Sequence, residues 1–244
     1  MHLDGADYDA AWDHAQLAAA ELAGLTELSP LGLDTKTISC LTRGMIQGLR
    51  GNEASALEFL RAAHGTCEQL GDRLSPTDHV LTALARCLTA RGDIDEAAAL
   101  LQQARAIRNR ISDRAGEAET IALLGAVRRA QGNLPEAAAL GRSAVDMLTD
   151  QPRLAVCALM ELGRTLTAGD AADEAVAVYR RALHLAVMAQ QPHEEALALQ
   201  ALADALAPTD LHAAQRHTAK AAGILSRLGV SGQMPRPRLR PSGW

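Results

Sequence analysis

One short phrase recurs along the chain and limits the folds open to it. Gly51-Asn52-Glu53-Ala54-Ser55-Ala56 is followed by Gly92-Asp93-Ile94-Asp95-Glu96-Ala97 and by Gly132-Asn133-Leu134-Pro135-Glu136-Ala137. A degenerate copy, Ala171-Ala172-Asp173-Glu174-Ala175, is preceded by Gly169-Asp170, and echoes stand at Asp7–Ala11 and Asp210–Ala214. With the closing alanine as marker, the series runs Ala11, Ala56, Ala97, Ala137, Ala175, Ala214, at intervals of 38 to 45 residues. Self-similarity at about 40 residues marks a stacked repeat array rather than one compact fold.

Each marker has a second alanine seven residues on: Ala18, Ala63, Ala104, Ala144, Ala182 and Ala221. Alanine is common here, so one match decides nothing, but six in six does. Seven residues is two helical turns, so each pair lies on one helix face. Twelve residues before the middle markers stand Gly44, Ala85, Gly125 and Gly163, inside apolar helical runs. Glycine within a helix costs about 1 kcal/mol relative to alanine, so its recurrence at one phase points to close helix contact. Each repeat therefore reads as two antiparallel helices. The first carries the small-residue notch, a Gly-Asp or Gly-Asn turn ends it, and the alanine pair of the second packs into the notch. Pro135 falls in a first helical turn, where proline is tolerated.

Composition agrees with an all-α chain. Hydrophobic residues make up 48% but aromatics only 2%, with Phe59 the sole phenylalanine beside Tyr8, Tyr179, Trp12 and Trp244. A core of alanine and leucine needs backbones that approach closely, which helices supply and a β-sandwich does not. The net charge of −5 argues against a general nucleic-acid or anionic-membrane surface. No apolar run approaches the roughly 20 residues that span a bilayer, and the start lacks a basic-then-apolar leader. Cys40, Cys67, Cys87 and Cys157 are widely spaced, without a C-x-x-C pair. They read as buried, reduced thiols of a cytoplasmic protein.

The notch, the Gly-Asp turn and the Ala-x6-Ala pair resemble the tetratricopeptide repeat, most clearly from Ala83 to Leu228. The spacing is longer than that family's usual unit and is similar to the variant arrays of large bacterial transcriptional regulators of the antibiotic-regulatory, ATPase-linked and LuxR types. The resemblance implies a right-handed superhelical solenoid whose first-type helices line a concave face. Gly141 departs from the pattern, since Leu60, Leu101 and Tyr179 hold its phase elsewhere, and the last repeat is one residue short before Ala214.

Second-type helices are expected at Tyr8–Leu25, Glu53–Leu70, Asp95–Ser112, Pro135–Leu148, Asp173–Ala189 and Leu211–Leu228. First-type helices are expected at Leu33–Leu49, Thr77–Ala90, Gly116–Gln131, Pro152–Ala168 and His193–Leu206. The array thus covers residues 1–229, with a half repeat over 1–30 and about five repeats after it; residues 230–244, rich in proline and arginine, read as a disordered tail. Arg236, Arg238 and Arg240 give that tail a small cationic footprint, against the plainer reading of a solvated end. The first helix has no partner helix before it. It carries Trp12, Leu17, Leu22 and Leu25, so a solenoid end that normally needs a polar cap looks uncapped. A longer array, packing on itself or on a second copy as a homodimer, or a helix lent by a partner would each account for it.

No catalytic or metal motif stands out. The eight histidines give no i,i+4 pair around a carboxylate, and His193-Glu194-Glu195 reads as the acidic opening of a helix. There is no G-x-S-x-G elbow and no phosphate loop, so neither enzyme chemistry nor a cofactor is expected. Counted from the notch as the resemblance implies, the positions six and three before it and one and four after it face the groove. These are Ile38, Leu41, Met45 and Gly48; His79, Thr82, Arg86 and Thr89; Glu119, Ala122, Ala126 and Arg129; and Cys157, Met160, Arg164 and Thr167. The expected groove runs from apolar to cationic, suited to a peptide or protein segment with an apolar and a carboxylate-bearing end. It differs from the Lys/Asn carboxylate clamp of chaperone-binding members. The plainer reading pairs these arginines with neighbours such as Glu119 and Glu161. The function expected is a protein- or peptide-binding module, the interaction or sensor part of a bacterial regulatory system. A signalling-peptide or small-ligand receptor and a self-associating scaffold remain as alternatives.

Overall fold

In the computed structural model, residues 8–25, 27–71 and 76–228 are described, and every regular element among them is an α-helix. Eleven helices follow in order: α1 (Tyr8–Leu22), α2 (Pro30–Leu49), α3 (Glu53–Leu70), α4 (Thr77–Arg91), α5 (Ile94–Arg110), α6 (Arg114–Ala130), α7 (Leu134–Met147), α8 (Pro152–Ala168), α9 (Ala172–Met188), α10 (Pro192–Leu206) and α11 (Leu211–Arg227). The glycine- and alanine-marked periodicity thus yields helix pairs at the expected places. The tail over 230–244 lies outside the described residues.

Among the described residues, helices touch their chain neighbours, and the even-numbered helices also touch one another in succession. No odd-numbered helix touches another odd-numbered one. A layer whose members meet has a shorter arc than one whose members splay apart. The even-numbered, first-type helices therefore form the inner, concave layer of the solenoid, and the odd-numbered ones fan out behind them.

The notches are where backbones meet. A Cβ added at Gly44 would stand 2.7 Å from Leu60 Cγ and 3.2 Å from the Ala56 carbonyl, and one at Gly125 would stand 3.2 Å from the Ala137 carbonyl. At Gly163 it would fall 2.3 Å from the Tyr179 ring, so this notch houses the largest side chain of the series. Gly141 is a second kind of notch. Its missing Cβ leaves room for Leu162 of the next repeat, whose Cβ lies 3.2 Å from that position, and α7 docks tightly on α8 as a result.

The paired alanines are buried in α3, α5, α7, α9 and α11 but only half-buried in α1, where Tyr8 and Ala15 are the buried residues. That difference follows from α1 having no first-type helix of its own repeat among the described residues. Two continuous apolar clusters meet on α6. Leu123 and Val127 belong to one with α2–α5, and Ala118, Ile121 and Ala122 to the other with α7–α10.

Turn chemistry carries the chain from inner to outer layer. Gly51, Gly92 and Gly132 adopt φ of 78°, 98° and 81°, the left-handed conformation that closes a helix. In the fourth copy this position falls to Asp170, φ 57°, rather than to Gly169. Asn133 caps α7, its side-chain oxygen accepting from Glu136 N at 3.3 Å, whereas Asn52 and Asp93 make no side-chain cap bond. Helix α2 starts three residues earlier than expected, because Ser29 accepts from Gly32 N and Pro30 fits the first turn.

Candidate binding groove

The expected groove residues separate into two stripes. Residues three positions before the notch are buried: Leu41 at 6%, Thr82 at 4%, Ala122 at 1% and Met160 at 4% exposure. Contacts between successive inner helices use this stripe, so Leu41, Thr82 and Met160 stand within the packing rather than on the open face. Ala126 is buried too. The other stripe reaches solvent: Ile38, His79 and Arg86 are exposed, and Met45, Glu119, Arg129, Cys157 and Arg164 are half-buried.

The reaching stripe converges on one charged centre. Arg129 of α6 donates from Nη2 to Glu161 Oε2 at 3.1 Å and from Nη1 to Thr165 Oγ1 at 3.2 Å. Arg164, one turn along α8, donates to the other oxygen of the same carboxylate. Burial alone raises the pKa of Glu161, but Arg164, Arg129 and Arg86 overcome it and hold the carboxyl below its ordinary range.

Arg86 is different, since it makes no hydrogen bond or ion pair within the described residues. It lies within the electrostatic reach of Cys157 first, then of Glu119 and Glu161, which together raise its pKa, and it also acts on Glu194 of α10. Burial pushes the Cys157 thiol up to about 11. The thiol is therefore neutral at pH 7, and the carboxylates supply the field there. Arg86 on α4 thus interacts electrostatically with residues of α6, α8 and α10.

Two residues outside the expected set shape the site. Arg108 of α5, on the outer layer, is fully buried. Its Nε donates to Asp78 Oδ2 at 3.0 Å, its Nη1 to Gly116 O at 2.6 Å and Thr120 Oγ1 at 2.7 Å, and its Nη2 lies 3.1 Å from Glu119 Oε2. This arginine ties α4 to α6 and engages Glu119 in an ion pair. The second is Glu161. The sequence carried a signal for the first: Arg108 falls on the stripe of Ala97, Leu101 and Ala104, at the phase where Cys67, Leu148 and Ala186 are buried. Glu161 is expected from the sequence only as a neighbour that the groove arginines would pair with, and Arg129 and Arg164 do pair with it.

At the other end of the array, the Arg43 guanidinium lies 4.0 Å from the Phe59 ring centroid and 5.4 Å from that of Trp12, while Arg50 pairs with Asp9. These contacts staple α1 to α2 and α3, yet Leu17 and Leu25 remain 62% and 56% exposed. The cysteines are all free, with Cys40 and Cys67 buried and Cys87 and Cys157 half-buried. His193 is buried beside Glu194 at 3.6 Å. Among the described residues, no cluster of three or more His, Cys, Asp or Glu suits a metal ion, and no helix is long and apolar enough to cross a membrane.

Residues 76–150 match the family model of the tetratricopeptide repeat. Tetratricopeptide repeats thus occupy at least this part of the chain. Solved structures extend the same fold over nearly all of it. BtubC (BKLC) from P. vanneervenii superposes with a TM-score of 0.59 at 17% identity, covering 97% of each chain. A Rap protein complexed with competence and sporulation factor gives a TM-score of 0.75 at 14% identity, over 88% of this chain and 59% of that one. NprR in complex with its cognate peptide NprX gives 0.61 at 14% identity, over 91% of this chain and 66% of that one. This chain thus spans about three fifths of the Rap protein's length. No curated protein matches the sequence.

Proposed function

We propose that this tetratricopeptide-repeat chain is a receptor for a peptide or an extended protein segment, held along its inner layer. The observation that carries the reading is Arg86, an exposed cation of the inner layer that makes no hydrogen bond or ion pair among the described residues. A charge left without a partner in such a place is suited to an incoming carboxylate. Ile38 and Met45 of α2 offer apolar contact on the same layer, so a segment with an apolar stretch and one acidic group fits its polarity. The likeness to Rap and NprR structures solved with peptides supports this reading. On the same analogy the chain is the sensing part of a bacterial regulatory system. Binding, rather than catalysis, is the role this fold suits.

The test is affinity capture from lysate of the source cells, with wild type beside Arg86→Glu, followed by titration of whatever is captured. A segment held by wild type and at least tenfold weaker with Arg86→Glu supports the reading. Equal affinities overturn the groove assignment. Capture of nothing but further copies of the chain favours a self-associating scaffold, for which the exposed Leu17 and Leu25 of α1 provide a surface.

A further inference from the structure

Three arginines face one another across α4, α6 and α8, yet two are already engaged. Glu161 places one carboxylate oxygen on Arg129 and the other on Arg164, and only 13% of its side chain reaches solvent. Arg129 is fixed further through Thr165 Oγ1 and the Glu161 carbonyl. Glu119, a second carboxylate near Arg86, is ion-paired with the buried Arg108, and Glu194 of α10 is a third. Arg129 and Arg164 share the single charge of Glu161, so this part of the inner layer stays net positive, and of the three arginines only Arg86 makes no ion pair among the described residues.

We infer that Glu161 is a specificity-determining residue that restrains the binding of polyacidic ligands and leaves Arg86 as the seat for one ligand carboxylate. The inference rests on the peptide-binding reading above and sharpens its ligand class. An acidic group at Arg86 meets a cation and gains a charge-assisted hydrogen bond. A second or third acidic group nearby finds donors of Arg129 and Arg164 already taken by Glu161, whose single negative charge cancels half of theirs and repels the newcomer. Like charges brought together away from water repel strongly, and rejection of wrong ligands by such placement is a recognised route to specificity. The depressed pKa of Glu161 keeps it ionised at neutral pH, so this selection persists there.

The test uses two fluorescein-labelled hexapeptides with amidated ends, Leu-Leu-Leu-Glu-Ala-Ala and Leu-Leu-Leu-Glu-Glu-Glu, titrated by anisotropy. Wild type is expected to gain less than tenfold from the two added glutamates. Glu161→Gln frees Arg129 and Arg164, and should bind the triacid peptide at least tenfold tighter than wild type does, with the monoacid peptide within about twofold. Because two arginines then lose their partner, a charge-balanced second variant, Glu161→Gln with Arg129→Gln, is run alongside; it frees Arg164 alone and should give an intermediate gain. Circular dichroism identifies any variant that fails to fold, and the folded one carries the test. If Arg86→Glu abolishes monoacid binding but neither Glu161 variant gains affinity for the triacid peptide, the inference is overturned while the peptide-binding reading stands. If wild type already binds the triacid peptide more than tenfold tighter than the monoacid one, the inference is likewise overturned. If no protein binds either peptide, both fall together.

Discussion

Two arginines leave water in opposite ways at the two ends of this array's first half. Arg43, on α2, rests against the faces of Phe59 and Trp12. Arg108, on α5, is enclosed by Asp78, Glu119, Thr120 and the Gly116 carbonyl. The first contact is with ring quadrupoles, so it is tolerant of small shifts. The second is a directional network in which Nε and Nη1 meet placed acceptors and Nη2 stands in ion-pair range of Glu119, and its partners are costly to leave unpaired. The N-terminal helices are thus stapled by the chain's scarce aromatics, whereas the groove-bearing helices are held in register by charge. Curvature of the inner layer, and with it the position of Arg86, depends on the second device.

Removing Arg108 should have the largest effect. Arg108→Ala strands Asp78 in the interior, and a loss of about 3–5 kcal/mol in unfolding free energy is expected by denaturant titration. A loss under about 1 kcal/mol would break the contrast drawn here. Trp12→Ala should cost about 2 kcal/mol, from lost ring contact and cation–π attraction. Hydrogen exchange should then report opening of α1 with α6–α10 still protected. Spread of the opening into α6–α10 would show that the two halves are not held separately.

A smaller effect follows from Glu161, whose folded-state pKa lies below its ordinary 4.5. Such a group adds stability above pH 4.5 that is lost as pH falls through the lower folded value. Charged neighbours Arg86, Arg129 and Arg164 all keep their charge over that range, so the acid limb of an unfolding profile should flatten in Glu161→Gln. An unchanged limb would mean that other carboxylates carry it. The smallest effect is expected at Asp170. A non-glycine residue in the left-handed region carries strain, so Asp170→Gly should raise stability by about 0.5–1 kcal/mol. A neutral or negative change would show that this turn gains more from the aspartate than it loses to strain.

The helix pairs were legible because small residues record backbone approach directly. Helices α3 and α8 begin and end where the periodicity set them, and Gly44, Gly125 and Gly163 stand where a Cβ has no ordinary room. What could not be read was the inner layer's own packing. Counting from the notch treats four phases of a helix as equivalent, whereas contact between successive first-type helices buries Leu41, Thr82 and Met160 and leaves Ile38, His79 and Arg86 open. Pairing was legible only in part: Glu161 reads as a neighbour for the groove arginines, but the pairs across repeats could not be assigned. Asp78 lies 30 residues from Arg108 in sequence, and Arg129 lies 32 from Glu161, so only the solenoid's stacking brings them together. The departure at Gly141 made sense only when Leu162 filled its place.

The central claim is that charge on the inner layer, at Arg86, governs recognition. It is tested most directly by making one charge reversal on each layer and titrating the captured segment against both. Arg142, exposed on α7 and paired with Glu174, is the outer-layer control, since an exposed pair of this kind contributes little. The account predicts that Arg86→Glu weakens binding at least tenfold while Arg142→Glu leaves it within about twofold. Equal losses, or a loss only with Arg142→Glu, would contradict it.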